Sequence, residues 1–159
     1  MASPPSSNVA PRSSWPGILS DAATEVFSMM AGAQLTRADH AEASHVSNVT
    51  GTVGIAGAVR AVFSFRCSAE AAAKIASGML GISVEEAAGQ KWDAVGEICN
   101  IMAGHFKAKI GLEAQCMLTV PTVVAGSNYR IHTMAEGECF EIPLMYEGEQ
   151  VTVALEIRK

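Results

Sequence analysis

An acid and an amide at helical spacing are the residues of this chain best placed to do chemistry. The segment WDAVGEICNIMAGHFKAKI places Asp93, Glu97 and Asn100 along one face of a predicted helix. A carboxamide does not titrate, so it is poorly suited to general acid–base catalysis. It can instead hold and orient a water molecule, because it offers both an acceptor and donors on a rigid group. A neighbouring acid could pair with a cation on a partner protein.

The same pattern occurs twice in the chain. Residues 21–32 match residues 93–104 position for position, and the two segments begin 72 residues apart. Ser28 stands where the second copy has Asn100. The repeat predicts two pseudo-symmetric halves, and the substitution predicts that only the second copy keeps the water-holding amide.

A helical wheel separates the second copy into two faces. Positions on the polar side fall within roughly 40° of Asp93, and the opposite side is apolar. An ordinary solvated face would explain the polar side, but glycines weaken a helix and are unusual there. Small residues beside an acid and an amide would let another protein approach closely. The polar side comprises Asp93, Glu97, Asn100, Gly104, Lys107 and Gly111, and the apolar side comprises Val95, Ile98, Met102 and Phe106.

Composition narrows the class of protein. The chain has 159 residues, enough for one domain with its own core. Its net charge is −5 and it has no basic run, which argues against binding nucleic acid. Only 17% of the residues are charged and 49% are hydrophobic, which favours a subunit interface. The four cysteines form no CxxC pair, and we expect a cytoplasmic protein without a membrane span.

The order of predicted elements indicates an α+β fold with a largely antiparallel sheet and long amphipathic helices. Residues 1–16 are rich in Ser and Pro and are predicted to be a disordered tail, followed by a folded domain over 17–159. Ser68 is the expected N-cap of an Ala-rich helix that ends before Gly81, and Ser83 with Glu86 is an expected capping box for the short helix that follows. Predicted helices cover 18–35, 68–80, 83–89 and 90–111; predicted strands cover 46–55, 58–66, 114–119, 122–125, 129–134, 138–146 and 150–158, with a turn at Glu147-Gly148.

Two motifs together resemble a known family. Asp93-x-x-x-Glu97-x-x-Asn100 is followed by Pro121-Thr-Val-Val-x-Gly126, and this combination resembles the signature of the CheC, CheX and FliY phosphatases of bacterial chemotaxis. The strings GEICNIMAG and PTVVAG are most similar to the CheX branch. Twenty residues separate Asn100 from Pro121, slightly fewer than expected for the CheC pattern.

The resemblance implies hydrolysis of the phospho-aspartate of a CheY-like response regulator. It makes Glu97 the acid that docks on a receiver lysine and Asn100 the amide that orients the attacking water. Asp93 and Gly104 would contact the same partner. The receiver would supply its own Mg²⁺, so the protein would need no cofactor or metal, and CheX-like proteins form homodimers. The alternative is a catalytically silent CheX-like module that binds a response regulator or a flagellar switch component.

Other candidate sites have simpler interpretations. The histidines His40, His45, His105 and His132 show no metal-ligand spacing. Cys99 adjoins Asn100 in sequence but points toward the core on the wheel, as expected for a packed thiol. The segment over 51–57 superficially resembles a dinucleotide-binding loop, but a strand follows it where that motif requires a helix.

Overall fold

The computed structural model describes residues 8–39, 47–131 and 137–159. Within them, four α-helices are accompanied by 3₁₀ turns at Arg12–Ser14 and Ala88–Gln90. The helices are α1 (Trp15–Ala31), α2 (Ala69–Leu80), α3 (Val84–Ala87) and α4 (Lys91–Lys109). The strands are β1 (Thr36–Arg37), β2 (Val49–Gly57), β3 (Ala61–Cys67), β4 (Cys116–Leu118), β5 (Thr122–Ala125), β6 (Cys139–Tyr146) and β7 (Glu149–Ile157).

The sheet has the internal symmetry that the repeat predicts. Its strand order is β1-β6-β7-β3-β2-β4, every pairing is antiparallel, and β5 also pairs with β2. Each half consists of a long helix, a short edge element and a hairpin: α1, β1 and β2–β3, then α4, β4–β5 and β6–β7. Each edge element pairs with the hairpin of the other half. The predicted α+β class and pseudo-symmetric halves are confirmed.

The core lies between one face of the sheet and the long helices. Along β3, the residues that point to this face are buried and alternate with half-buried ones, as expected for a strand covered on one side. The ring of Phe27 in α1 lies 5.7 Å from that of Phe65 in β3 and 5.2 Å from that of Tyr146 in β6. These contacts join both halves in one core.

The predicted disordered tail is wrong for residues 8–16. Trp15 begins α1 and is 2% exposed, because its ring packs edge-on against Phe106 at 5.6 Å. Its Nε1 donates to the carbonyl of Ala10 at 3.0 Å, and the Ala10 amide donates to the carbonyl of Ile110. This segment is therefore held against the end of α4. Residues 1–7 lie outside the described part of the chain.

Helix ends follow the sequence signals in most places. The Ser68 hydroxyl accepts a hydrogen bond from the Ala71 amide and Gly81 ends α2 in a left-handed conformation, as predicted. Ser83 and Glu86 form the predicted capping box. Helix α4 ends at Lys109, so Gly111 is not part of its polar face, contrary to prediction. Gly111 has φ +81° beyond the helix end, where a side chain would meet the carbonyl of Asn8.

The strand predictions need two corrections. Residues 129–131 form no strand; Tyr129 lies over the outer face of the sheet, with its hydroxyl 2.8 Å from that of Thr50. The rest of that predicted strand, 132–134, is outside the described residues. The two-residue β1 was not predicted, because so short an edge strand has no detectable period in the sequence.

The predicted turn at Glu147-Gly148 is confirmed, with positive φ at both residues. No described helix is long and apolar enough to cross a membrane.

Candidate functional site

Two glycines bring α4 close to the sheet and so fix the position of its polar face. A Cβ on Gly51 of β2 would lie 3.2 Å from the Cβ of Cys99 and 3.3 Å from Cγ1 of Val95. On the helix itself, a Cβ on Gly96 would lie 3.3 Å from Cγ2 of Val123 in β5. Because both positions lack side chains, the helix backbone packs tightly against β2 and β5.

Apart from Gly111, the predicted faces of α4 are confirmed. Asp93 and Glu97 are exposed, Asn100 is half-buried, and the residues on the opposite side contribute to the core. Asn100 is one helical turn, about 4.5 Å along the axis, beyond Glu97. Acidic Asp93 lies in the first turn, while Lys107 and Lys109 lie in the last turn, an arrangement that suits the helix dipole.

The acid and the amide have no partner in the described part of the chain. Among residues 8–39, 47–131 and 137–159, the Glu97 carboxylate and the Asn100 carboxamide form no hydrogen bond or ion pair. Their donors and acceptors are therefore available to a bound molecule. Both groups sit on a helix whose opposite face is fixed by the core.

The first copy of the motif, on α1, differs from the second in the pairing of its acid. Asp21, Glu25 and Ser28 are exposed on α1, as the repeat predicts. Lys109 Nζ, however, donates to Glu25 Oε1 at 2.8 Å, and His105 Nδ1 lies 3.9 Å from Glu25 Oε2. The first copy thus differs from the second both in the missing amide and in an acid that is already paired.

Two grooves flank the polar face of α4. The α2–α4 groove has a volume of about 210 Å³ and is lined by Met79, Leu80, Gln90, Asp93, Ala94 and Glu97. The α4–β4 groove has a volume of about 680 Å³. Asn100 and Lys107 line one side of it, and residues 113–114 and 116–121 line the other. The acids and the amide therefore open onto different grooves, with the α4 backbone as the ridge between them.

Pro121 lines the α4–β4 groove, and Gly104 lies close to Leu118, which also lines it. A Cβ on Gly104 would lie 3.8 Å from Cδ1 of Leu118, so this glycine faces β4 as well as solvent. Pro121 directly precedes β5 and lines the groove, while its fixed φ suits a strand entry. The structure thus places Asn100 on the α4–β4 groove and Gly104 beside Leu118 of that groove, whereas Asp93 and Glu97 border the α2–α4 groove.

Among the described residues, the remaining candidates carry no site of their own. Cys99 is fully buried, and burial raises the pKa of its thiol to about 12, as expected for a packed thiol. Residues 51–57 belong to β2, so they are not a nucleotide-binding loop. Within the described part of the chain, no three His, Cys, Asp or Glu side chains cluster as metal ligands. His40, His45 and His132 lie outside that part.

No pattern in the sequence indicates the side of the α4–β4 groove that residues 113–114 and 116–121 form. Met117 and Val120 are 77% and 83% exposed, more than any other large hydrophobic side chain in the described residues. The predicted strands at 114–119 and 122–125 placed this segment in the sheet without indicating which side chains would face outward.

Comparison with known families shows to which family the chain belongs. The model of the family described as "Chemotaxis phosphatase CheX" matches residues 49–145, which is more than half of the chain. The protein therefore belongs to the CheX family. No curated protein sequence matches it.

Solved structures share the fold over nearly the whole chain. A CheX from Desulfovibrio desulfuricans is 23% identical, with a TM-score of 0.76, covering 91% of this chain and 99% of that one. CheX of Borrelia burgdorferi, in a complex with CheY, BeF₃ and Mg²⁺, is 22% identical, with a TM-score of 0.72 and coverages of 91% and 98%. FliY of Thermotoga maritima is 17% identical, with a TM-score of 0.64 and coverages of 99% and 92%.

Proposed function

We propose that this protein is a phosphatase that hydrolyses the phospho-aspartate of a CheY-like receiver domain. Membership of the CheX family and the CheX–CheY complex of a relative support the type of partner. The observation that carries the proposal is that Glu97 and Asn100, one turn apart on a fixed helix, have no partner among the described residues. The paired acid and missing amide of the first copy indicate a single site per chain.

In the proposed reaction, Asn100 acts on water. Its carboxamide oxygen accepts a hydrogen bond from the water molecule and holds it in line with the phosphorus–aspartate bond. The water oxygen bonds to phosphorus as the bond to the aspartyl oxygen breaks, which releases the receiver carboxylate and inorganic phosphate. Catalysis of this kind depends on positioning and on electrostatic stabilisation of the phosphoryl oxygens.

Glu97 has a docking role in this proposal. Its exposed carboxylate is free to pair with a cationic side chain of the receiver, and Asp93 adds negative charge one turn earlier. Gly104 leaves room beside Asn100 for the receiver backbone. The Mg²⁺ that neutralises the phosphoryl group is expected to arrive with the receiver, as part of the substrate.

We also propose that the protein acts as a homodimer. Within the described residues, β4 and β5 pair with β2 on one side only, so they form an edge of the sheet. An open edge favours pairing with another chain, and the low charged fraction of 17% fits a buried interface. Sedimentation equilibrium should give twice the monomer mass of 16.6 kDa.

The experiment that tests the function measures loss of phosphate from CheY-like receivers of the same organism, with and without the protein. Acceleration of this loss supports the phosphatase. Binding to receivers without acceleration would instead support a silent docking module.

Glu97→Gln should weaken receiver binding at least tenfold, because the substitution removes the docking charge while keeping the shape of the side chain. Glu85→Gln, on another exposed helix, is the matched control.

A further inference from the structure

The two acids that the proposed function assigns to docking lie on the α2 side of α4. Asp93 and Glu97 border the α2–α4 groove, whereas Asn100 opens onto the α4–β4 groove. A receiver that reaches all three side chains must therefore straddle α4, with its phosphoryl group on the β4 side and its docking cation on the α2 side.

The polar face of α4 is too small to bind a receiver alone. From Asp93 to Gly104 it is about 16 Å long and roughly 10 Å wide. Even small specific interfaces bury several hundred Å² on each partner. Residues beyond α4 must therefore contribute, and the position of the two acids directs attention to α2.

The α2 side of this groove is apolar. Met79 and Leu80, the last two residues of α2, line it together with Asp93 and Glu97 of α4. Met79 also packs against the core, whereas Leu80 is 47% exposed and does not belong to the core. A partner that covered Leu80 would remove its apolar surface from water, which favours binding.

Among the described residues, no base neutralises the charge of the groove. Of its lining residues two are acids and none is basic. Lys74, the one basic residue of α2, donates to Glu149 at 3.2 Å, and Lys91 Nζ lies 4.6 Å from the centre of the Trp92 ring. A cationic side chain with an apolar stem suits such a groove, because the stem can cover Leu80 while the charge meets the acids.

The end of α2 is fixed by the rest of the fold. The Ser77 hydroxyl donates to the carbonyl of Ile82 at 2.6 Å, across the turn that follows the helix. A Cβ on Gly78 would lie 2.6 Å from the carbonyl oxygen of Ala31, so the glycine lets α2 pack closely against the end of α1. The backbone that carries Leu80 therefore has little freedom to lose when a partner binds.

We propose that Met79 and Leu80, together with Asp93 and Glu97, bind a part of the receiver in which apolar side chains surround a cationic one. This inference rests on the proposed function and extends it: Asn100 supplies the chemistry, and the α2 side of the groove determines how tightly the receiver binds. Charge favours the receiver over a second copy, because a two-fold dimer through this groove would bring the acids of both chains together.

The test uses Leu80→Lys and Leu80→Gln with a receiver that the wild-type protein dephosphorylates. Leu80→Lys places an ammonium beside the acids of the groove, so the dissociation constant for the receiver bound to beryllofluoride and Mg²⁺ should rise about tenfold or more. Leu80→Gln removes only the apolar contact and should raise it about threefold. The loss should lie in affinity rather than in the rate at saturation, because Asn100 is untouched.

Met29→Lys is the matched control, because it places the same charge at a 62% exposed methionine on α1. It should bind the receiver normally. Unchanged melting temperatures would show that the variants fold.

Three results would overturn the inference. Wild-type affinity in both Leu80 variants would exclude the α2 side of the groove from the interface. Equal weakening by Met29→Lys would attribute the effect to net charge. A change in oligomeric state with unchanged receiver affinity would assign Leu80 to self-association. None of these results would affect the proposed function, which fails only if the wild-type protein accelerates phosphate loss from no receiver, and the inference then fails with it.

Discussion

Lys109 Nζ lies 2.8 Å from Glu25 Oε1, so the end of the second long helix neutralises the acid of the first copy of the motif. Glu97, at the equivalent position of the second copy, has no such partner in the described part of the chain. The pseudo-symmetric fold therefore presents two similar helices whose acids differ in whether they are paired. One acid contributes to packing between helices, and the other remains available for binding.

Replacing Glu25 or Glu97 by glutamine should change different properties, because Glu25 is paired with Lys109 and Glu97 has no such partner in the described residues. Glu25→Gln should lower the free energy of unfolding by up to about 1 kcal/mol, because it breaks a partly exposed ion pair, and should leave dephosphorylation unchanged. Glu97→Gln should leave stability unchanged and weaken receiver binding. Urea unfolding and receiver titrations measure the two effects. Equal receiver affinities for the two variants would contradict the assignment.

Restoring the amide in the first copy should not create a second site. Ser28→Asn supplies the carboxamide, but the Glu25 carboxylate stays paired with Lys109 and competes poorly for a cation on the receiver. In an Asn100→Ala background, Ser28→Asn should therefore leave phosphate loss at the level of Asn100→Ala alone. Single-turnover decay of a phosphorylated receiver measures this. Recovery of more than a tenth of the wild-type rate would show that the first copy lacks only its amide.

Close approach of α4 to β2 predicts a stability effect at Gly51. Gly51→Ala should destabilise the protein by about 1–2 kcal/mol, because the new methyl group would press on Cys99 and Val95. Gly17→Ala is the control: no atom lies within 4 Å of a Cβ there, and alanine favours the helix by up to about 1 kcal/mol. Thermal unfolding measures both. A Gly51→Ala protein as stable as wild type would mean that α4 packs less closely on β2 at Gly51 than these contacts indicate.

Thiol reactivity should follow burial. Cys139 is exposed, whereas burial raises the pKa values of Cys67 and Cys99 to about 12, so these two form almost no thiolate near neutral pH. Iodoacetamide at pH 8 should modify Cys139 first and reach Cys67 and Cys99 only after unfolding, as peptide mass spectrometry would show. Modification of Cys99 in the folded protein would contradict the packing of α4.

Local signals in the sequence predicted much of the fold. The caps of α2, the capping box of α3 and the turn at Glu147-Gly148 depend on neighbouring residues, and all were predicted correctly. Residues 8–16 were assigned wrongly, because their order depends on Trp15 meeting Phe106, which is distant in sequence.

The site was predictable only in part for the same reason. The spacing of Glu97 and Asn100 places both on one exposed helix face, and the structure confirms this placement. Their opening onto different grooves depends on where α2 and β4 pack against α4. The pairing of Glu25 with Lys109 likewise joins residues 84 positions apart, and no local pattern predicts it.

Single-turnover kinetics test most directly whether Asn100 positions the attacking water. Single-turnover decay of a phosphorylated CheY-like receiver should be followed at saturating concentrations of wild type and of Asn100→Ala. We expect a rate on the order of 10²-fold lower for the variant, equivalent to about 2.7 kcal/mol, with receiver affinity and melting temperature unchanged. A variant that keeps the wild-type rate to within threefold at equal affinity would contradict the assigned role of Asn100.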